Sequence, residues 1–354
     1  MATYSFERLN ILLVEDNDFI RNILEDLLRG FGFSRITIAS DGQDAIEVLK
    51  TAKSVGGAGS LGVDLIISDL IMTPINGLLL LRWTRTAKDS PNRFMPFLML
   101  SGAADNDYVK AARDLGVTEF IAKPFSAESV YKRILEVVDY PRQFVVTQSY
   151  YGPDRRRKDI GAPDGNSRRE TKESDVTIVY SADKVVKPNK DGGVWYFRLP
   201  NSLKDRVGGM GKSGTGEIPE GLLEEAEQKL ERAALDFTEW AATYLSKISN
   251  LCAEALLKEG GRKKYFDEIN TVAHELRGQG GTFGYPMISM VGKMLYDCTG
   301  EGCREDDNAV EIVKAHIDTM RAVIREKIAG DGGKLGKELI AGLKASVESK
   351  QTVQ

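Results

Sequence analysis

The chain has 354 residues, of which 42% are apolar and 28% charged, and its formal net charge at pH 7 is −4. One hydrophobic core rarely serves so many residues, so we expect two domains and a linker. The slightly acidic balance argues against a protein that coats nucleic acid, and DNA is not an expected partner. No run approaches the roughly 20 apolar residues that span a bilayer, and the start lacks a signal-peptide layout. We therefore expect a cytoplasmic protein without membrane insertion.

Short apolar runs alternate with helical patterns from Leu9 to about Asp139. The runs are LNILLV, ITIA, DLIIS, FLML and EFIA, and a helical pattern follows each of them. Five strands that alternate with five helices predict an α/β, flavodoxin-like fold, in which a doubly wound parallel sheet carries helices on both faces. We place this domain at residues 1–140.

The composition changes after Pro141, where charged residues, glycine and proline dominate. Such a segment cannot bury enough apolar surface to offset the entropy of ordering, so residues 141–217 are predicted to be a long, largely irregular linker. Two β-like runs, from Val176 and from Val194, flank a turn-like stretch, KPNKDGG, and predict a small hairpin inside the linker. The aromatic residues of the second run would dock onto one of the domains.

Long helical periodicity begins at Pro219. It predicts one helix to about Glu259, a second around His274, a third after Pro286 and a fourth from about Asp307, with a last amphipathic stretch near residue 334. Helices of this length joined by short glycine-containing loops predict an all-α bundle at residues 218–330, followed by a C-terminal helix or tail at 331–354.

Polar side chains follow four of the five predicted strands. Glu15 and Asp16 end the first strand, Asp69 the third, Ser101 the fourth and Lys123 the fifth. Because the carboxyl ends of parallel strands meet at one edge of a sheet, the three carboxylates would hold a hard divalent cation there, Mg²⁺ above all. The lysine and the hydroxyl are the groups that stabilise a phosphoryl group during transfer.

Four motifs at these positions resemble those of response-regulator receiver domains. They are E-D after the first strand, S-D-L-I-M-T-P-I-N-G around Asp69, L-S-G at Ser101 and K-P at Lys123. The resemblance covers about residues 7 to 139. It implies that Asp69 is the phosphoacceptor and that its donor is a sensor histidine kinase or another phosphohistidine protein. The alternative is a structural acidic pair on the same sheet, without phosphorylation.

The resemblance also implies roles for the neighbouring residues. The ligands that it implies for Mg²⁺ are three carboxylates and one backbone carbonyl, those of Glu15, Asp16, Asp69 and Ile71. Lys123 and Ser101 would sense the phosphoryl group, and Phe120 would be the aromatic switch residue on strand five. Ile71 is apolar where many members of the family carry a polar residue, which leaves the lifetime of a phosphoaspartate open.

The second candidate site lies in the stretch AHELRGQGGTFGY. On a helical wheel, one face is apolar and comprises Phe266, Ile269, Ala273, Leu276 and Phe283. His274 points away from that face and is predicted to be a surface residue. Gly278, Gly280 and Gly281 interrupt the helical pattern at a cost of about 1 kcal/mol each, which suggests function. They would let a partner protein approach the imidazole, and Arg277 could offset the charge of a phosphorylated imidazole.

His274, Arg277, Gly278 and Gly284 resemble the H-x-x-[KR]-G motif and the later glycine of histidine-containing phosphotransfer domains, over about residues 219 to 330. The resemblance implies exchange of a phosphoryl group with an aspartate on another receiver-domain protein. H-E-L-R also occurs in histidine kinases, but there Thr or Asn and then Pro follow, and this chain has no Gly-rich ATP-binding domain. The alternative to a phosphotransfer site is that His274 is a solvated helix residue and that the glycines only allow helices to pack closely.

The leading hypothesis is therefore a bacterial two-component phosphorelay protein, a phosphotransfer protein rather than a conventional enzyme, with the direction of flow between Asp69 and His274 open. The rival is a response regulator whose bundle is a non-catalytic adaptor. A transcription regulator is weaker, because no helix-turn-helix with a basic recognition helix is evident. His316 is predicted to be structural, and the three cysteines to be structural or incidental thiols. The glycine-rich stretch 209–216 lacks a P-loop pattern. The basic cluster at 155–169 is expected to be solvated linker.

Overall fold

The computed structural model describes residues 4–54, 62–102, 106–155, 176–180, 193–208, 215–217, 219–258 and 260–351. By its internal contacts the chain divides into two compact units, Met1–Glu227 and Gln228–Gln354. Most of the basic cluster and of the glycine-rich stretch discussed above lies outside the described residues. Of the helices within the described ranges, none combines the length and the hydropathy that a membrane span requires.

The first unit contains a five-stranded sheet, and every strand pair in it is parallel. Its elements, in chain order, are β1 (Asn10–Val14), α1 (Asp18–Gly30), β2 (Arg35–Ala39), α2 (Gly42–Ser54), β3 (Leu65–Asp69), α3 (Gly77–Thr86), β4 (Phe97–Gly102), α4 (Asn106–Leu115), β5 (Glu119–Lys123) and α5 (Ala127–Asp139). The strand order is β2-β1-β3-β4-β5. The predicted doubly wound α/β fold is confirmed.

Local sequence explains where these helices begin. Four of them start after a residue whose side chain accepts a hydrogen bond from a backbone N–H of the first turn: Asn17 before α1, Asp41 before α2, Asn76 before α3 and Ser126 before α5. The backbone N–H of Ser126 in turn donates to the hydroxyl oxygen of Ser129 at 3.0 Å, which completes a capping box. The caps satisfy donors that no intrahelical carbonyl can reach, and so they fix the strand-to-helix turns beside the sheet edge.

A second, four-stranded sheet follows within the first unit. It consists of β6 (Phe144–Val146), β7 (Tyr151–Pro153), β8 (Val176–Val179) and β9 (Val194–Phe197), in the order β7-β6-β9-β8. The predicted hairpin of β8 and β9 is wrong, because these two strands are parallel and a tight turn joins only antiparallel strands. The antiparallel partners are β6 with β7 and β6 with β9. Part of the predicted linker is thus ordered.

Aromatic packing attaches the second sheet to the domain that is built on the parallel sheet. Phe197 is buried, and its ring lies 4.9 Å from that of Phe94 in the α3–β4 connection. Phe144 and Tyr151 pack on the same ring at 5.1 and 5.7 Å. The prediction that aromatics of the second β-like run dock onto a domain is confirmed for Phe197.

A short helix, α6 (Ser202–Arg206), follows β9 and contacts the domain that is built on the parallel sheet. The Lys204 ammonium lies 3.2 Å from the Asp139 carboxylate at the end of α5, and the amide of Asn201 donates to the carbonyl of Val138 at 2.7 Å. Arg206 pairs with Asp64, the residue before β3. Residues 201–206 therefore close over the amino-terminal edge of the parallel sheet.

The C-terminal part is helical, as predicted. Its helices are α7 (Glu220–Leu256), α8 (Lys263–Gln279), α9 (Pro286–Cys298), α10 (Asp307–Arg325) and α11 (Gly333–Gln351). Their buried faces form an apolar core that includes Phe237, Phe266, Ile288 and Met320. His316 is 2% exposed, and its Nδ1 lies 2.8 Å from the carbonyl of Ile312, so the ring is part of this core.

One helix boundary differs from the prediction. Helix α8 ends at Gln279 with Gly280 as its C-cap. Gly280 and Gly281 are therefore not interior to a helix, and Phe283 does not lie on the helical face that carries Ile269. The amide of Tyr285 donates to the carbonyl of Gly280 at 2.7 Å and turns the chain towards α9. Phe283 is nevertheless buried, stacked on Phe237 at 4.9 Å. The apolar face continues through a turn, which periodicity alone cannot distinguish from a longer helix.

Candidate functional site

The carboxyl-terminal edge of the parallel sheet gathers five polar side chains. Asp69 is the last residue of β3 and Lys123 the last of β5, Glu15 and Asp16 follow β1, and Ser101 lies near the end of β4. All except Asp16 are buried, and Asp16 is half-buried. The strand order places β1, β3, β4 and β5 side by side, which explains why residues far apart in sequence meet here.

Lys123 is the charged centre of this group. Its Nζ lies 2.8 Å from Oδ1 of Asp69 and 3.4 Å from Oε2 of Glu15. Buried charges are costly unless they are paired, so the ammonium and the two carboxylates stabilise one another. Lys123 thus pairs with two of the three acidic side chains of the group, Glu15 and Asp69.

Burial is the main influence on the pKa of Glu15. Burial raises the pKa of Glu15 to about 8; Lys123 opposes the shift, and the charges of Asp69 and Asp16 add to it. For Lys123, burial disfavours the ammonium, but attraction by Asp69 and Glu15 outweighs burial and raises its pKa. The lysine stays protonated at neutral pH, and the site favours a further positive charge.

The donor set fits a hard divalent cation. Glu15, Asp16 and Asp69 each offer a carboxylate oxygen, and these oxygens lie within 4.8 Å of one another. Such carboxylate oxygens suit Mg²⁺, which prefers oxygen ligands and retains part of its hydration shell. A ligand role for the backbone carbonyl of Ile71 stays a prediction, as do the sensing roles of Ser101 and Phe120. Phe120 is half-buried and packs against the core of the sheet.

Sequence reasoning missed one residue that shapes this site. Gly77 begins α3, and a Cβ atom at this position would lie 2.2 Å from the carbonyl oxygen of Asp69. Its amide donates to the carbonyl of Leu70 at 3.1 Å. Only glycine therefore lets the turn after β3 fold back beside Asp69. The adjacent pair Asn76 and Gly77 was the available signal, since this dipeptide marks tight turns.

The second candidate site lies on α8 and α9. His274 is half-buried, and its ring centroid lies 5.7 Å from that of Tyr296 on α9. The Arg277 guanidinium carbon lies 5.7 Å from the centroid of the same Tyr296 ring. The structure thus brings together the predicted His274 and Arg277 and adds Tyr296, which no sequence motif indicated.

The glycines near His274 differ in what surrounds them. A Cβ at Gly278 would meet nothing within 4 Å, in agreement with an open face beside the histidine. A Cβ at Gly280 would lie 2.6 Å from the amide nitrogen of Ser289 and 2.7 Å from Cβ of Ile288, so this glycine serves the packing of α8 on α9. Gly284 has a φ of +81° and serves the turn. The prediction that all the glycines expose the histidine is wrong for Gly280.

Comparison with known proteins identifies the N-terminal part of the chain. The family described as Response regulator receiver domain matches residues 11–135. The chemotaxis protein CheY of Pseudomonas aeruginosa is 29% identical over 131 residues, which are 37% of this chain and 97% of that protein. CheY-3 of Vibrio cholerae is 28% identical over 133 residues, 38% of this chain and 94% of that protein.

Solved structures include the receiver domain of the sensor histidine kinase PA1611 from Pseudomonas aeruginosa, which holds a magnesium ion in its active-site cleft. It is 26% identical, covers 38% of this chain and 96% of that chain, and gives a TM-score of 0.30. The family match leads to a plain conclusion: the N-terminal part of this chain is a receiver domain of a two-component system.

Proposed function

We propose that Asp69 of this receiver domain accepts a phosphoryl group from a phosphohistidine donor, such as a sensor histidine kinase. A carboxylate oxygen of Asp69 attacks the phosphorus, the P–N bond breaks, and its electron pair stays on the donor imidazole. An aspartyl phosphate results. The observation that carries the proposal is the Lys123 ammonium 2.8 Å from Asp69, inside a cluster of carboxylates.

The side chains around Asp69 have separable roles in this reaction. Lys123 holds the acceptor carboxylate in place and supplies positive charge to an oxygen of the incoming phosphoryl group. Glu15 and Asp16, with Asp69, would hold Mg²⁺, which when bound neutralises charge on the phosphoryl oxygens. The Ser101 hydroxyl would bind a phosphoryl oxygen of the product. Phe120 would repack once Lys123 and Ser101 engage the phosphoryl group.

Acetyl phosphate provides a direct test of the acceptor. The full chain, incubated with radiolabelled acetyl phosphate and Mg²⁺, should gain a label that alkali removes, since acyl phosphates are labile in base. Asp69→Asn should lose the label, and the exposed Asp89→Asn should keep it. Chelation of Mg²⁺ should abolish labelling. A label that persists in Asp69→Asn, or that is absent from the unaltered chain with Mg²⁺ present, would contradict the proposal.

We further propose that His274 is a phosphotransfer residue. An imidazole nitrogen of His274 attacks the phosphorus of an aspartyl phosphate, the P–O bond breaks, and the electron pair returns to the aspartate carboxylate. Support comes from the half-buried imidazole, the open face at Gly278 and the neighbouring Arg277, whose charge favours a phosphorylated imidazole. The chain would then be a phosphorelay protein in which Asp69 and His274 both carry phosphoryl groups.

This second proposal is tested by transfer between two variants of the full chain. His274→Gln is labelled on Asp69 with acetyl phosphate, freed of donor and mixed with a tagged Asp69→Asn chain. A label on the tagged chain that survives alkali and is lost in acid identifies phosphohistidine. The sequence has two histidines, so His316→Gln in the tagged chain is the matched control and should keep the label. If no phosphorylated receiver, this one included, delivers such a label, the C-terminal region is a non-catalytic adaptor.

A further inference from the structure

Tyr296 occupies a distinctive place beside the second candidate site. Its ring lies 5.7 Å from the His274 ring with a tilt of 55°, inside the range of favourable aromatic contacts. The same ring lies 5.7 Å from the guanidinium carbon of Arg277, within reach of a cation–π interaction. His274 and Arg277 are one helical turn apart on α8, so a single side chain of α9 contacts both.

Two further contacts fix the register between α8 and α9. The amide of Asn270, one turn before His274, donates to the backbone carbonyl of Tyr296 at 2.8 Å and to the hydroxyl of Thr299 at 3.0 Å. Asn270 thereby joins the turn that precedes the histidine to the backbone of Tyr296 itself. A shift of one helix along the other would break both bonds.

Gly292 lets the two helices approach at the level of Arg277. A Cβ atom at this position would lie 2.7 Å from the amide nitrogen of Arg277 and 3.1 Å from its Cα. Gly292 is one turn before Tyr296 on α9, so the close approach brings the tyrosine ring to the face of α8 that carries His274. The glycine and the asparagine together place the ring.

We infer that Tyr296 is the positioning residue of the His274 site: its ring restrains the imidazole and holds the Arg277 guanidinium beside it. This inference rests on the proposed phosphotransfer function. Unrestrained, both side chains would sample several rotamers, and only a fraction would combine an in-line imidazole with a nearby cation. A ring that contacts both reduces that freedom before the partner receiver binds. The contacts with His274 and Arg277 are made by the ring, so an unsubstituted ring should suffice.

The experiment compares Tyr296→Leu and Tyr296→Phe in the full chain, with Tyr140→Leu as a control, an exposed tyrosine at the end of α5. The first readout is the set of imidazole signals in the NMR spectrum, where the buried His316 is an internal reference for folding. The second is the rate at which an Asp69→Asn chain gains alkali-stable label from phosphorylated His274→Gln chains.

Tyr296→Leu should move the His274 imidazole signals, leave those of His316 in place and slow transfer by about tenfold or more, since small misplacements of reacting groups cost up to roughly a hundredfold. Tyr296→Phe should resemble the unaltered chain in both readouts. Unmoved His274 signals in Tyr296→Leu, or a Phe variant as slow as the Leu variant, would overturn the inference. If the unaltered chain accepts no label on His274, the phosphotransfer proposal itself fails, whereas normal transfer in Tyr296→Leu removes only the role of Tyr296.

Discussion

Arg85 on α3 is the buried cation that connects the receiver domain with the second sheet. It is 1% exposed. Its guanidinium donates to the backbone carbonyls of Gly116, Arg93 and Met95 at 2.9, 2.9 and 2.7 Å, and it lies 5.2 Å from the centroid of the Phe144 ring. Burial lowers its pKa to about 10, so the side chain remains charged at neutral pH. We predict that its loss destabilises the whole first unit.

The magnitude follows from the groups that Arg85→Ala would leave without a partner. Three carbonyl oxygens lose their donor, and each unsatisfied buried polar group costs roughly 1–3 kcal/mol. Water that enters the vacated space recovers part of this, so we expect a loss of about 3–5 kcal/mol in the free energy of unfolding. Arg85→Lys keeps the charge but not the planar fork, and should lie between the alanine variant and the unaltered chain.

Urea unfolding followed by tryptophan fluorescence measures this effect. A Trp240→Phe background leaves Trp83 and Trp195, both in the first unit, as reporters. Arg82→Ala is the matched control, because Arg82 is an exposed arginine on the same helix. A loss of no more than about 0.5 kcal/mol for the alanine variant, the range of an ordinary surface substitution, would refute the role assigned to Arg85. So would equal losses in the two alanine variants.

Three further predictions concern other parts of the chain. Gly278→Ala should stabilise the second unit by up to about 1 kcal/mol, because alanine is a better helix former and the site is open, whereas Gly280→Ala should destabilise it; chemical denaturation measures both. Burial lowers the pKa of His316, so as the pH falls through about 6.5 this histidine is protonated in the unfolded chain before it is protonated in the folded chain. The free energy of unfolding should therefore decrease between about pH 7.5 and pH 5.5, and this decrease should be smaller in His316→Gln than in the unaltered chain. Mg²⁺ at ten times its dissociation constant should stabilise the first unit by about 1.4 kcal/mol, and Asp16→Asn should weaken this effect in thermal melts.

Each of these has its own contradicting result. Equal stability of the two glycine variants would show that the α8–α9 contact at Gly280 is not tight. A pH dependence that is unchanged in His316→Gln would assign the titration to other groups. A melting temperature that does not change when Mg²⁺ is added would show that the acidic cluster does not bind the cation.

The parallel sheet and its edge could be predicted because two independent signals agree there. Buried parallel strands appear as continuous apolar runs, and polar residues at the ends of those runs must meet at one edge. Asp69 and Lys123 were found in this way, although they are far apart in sequence. Pairing within the second sheet was not predictable, since β6 and β7 are only three residues long each and carry no usable period.

Tertiary contacts decided the features that sequence reasoning missed. Arg85 lies in a helix, GLLLLRWTRT, that gives no sign of which charged residue is buried. Tyr296 has the spacing of an ordinary partly buried helix residue, and its importance comes from what lies opposite on α8. Gly280 and Gly278 look equivalent in sequence, yet one packs against α9 and the other faces open space. In each case the missing information is the identity of the neighbour.

The two candidate sites solve the same electrostatic problem in opposite ways. At Asp69 the charges are buried, so the protein supplies Lys123 and a place for a cation, and the acceptor is shielded in a site built entirely by one domain. At His274 the imidazole is half-buried beside Arg277 and an open glycine face, so under the proposed function the docking receiver would supply part of the site. Under the proposed function, a carboxylate held this way takes phosphoryl groups from small donors, whereas the histidine depends on a partner that brings its own acidic cluster. Acetyl phosphate should therefore label Asp69 directly and reach His274 only through a receiver.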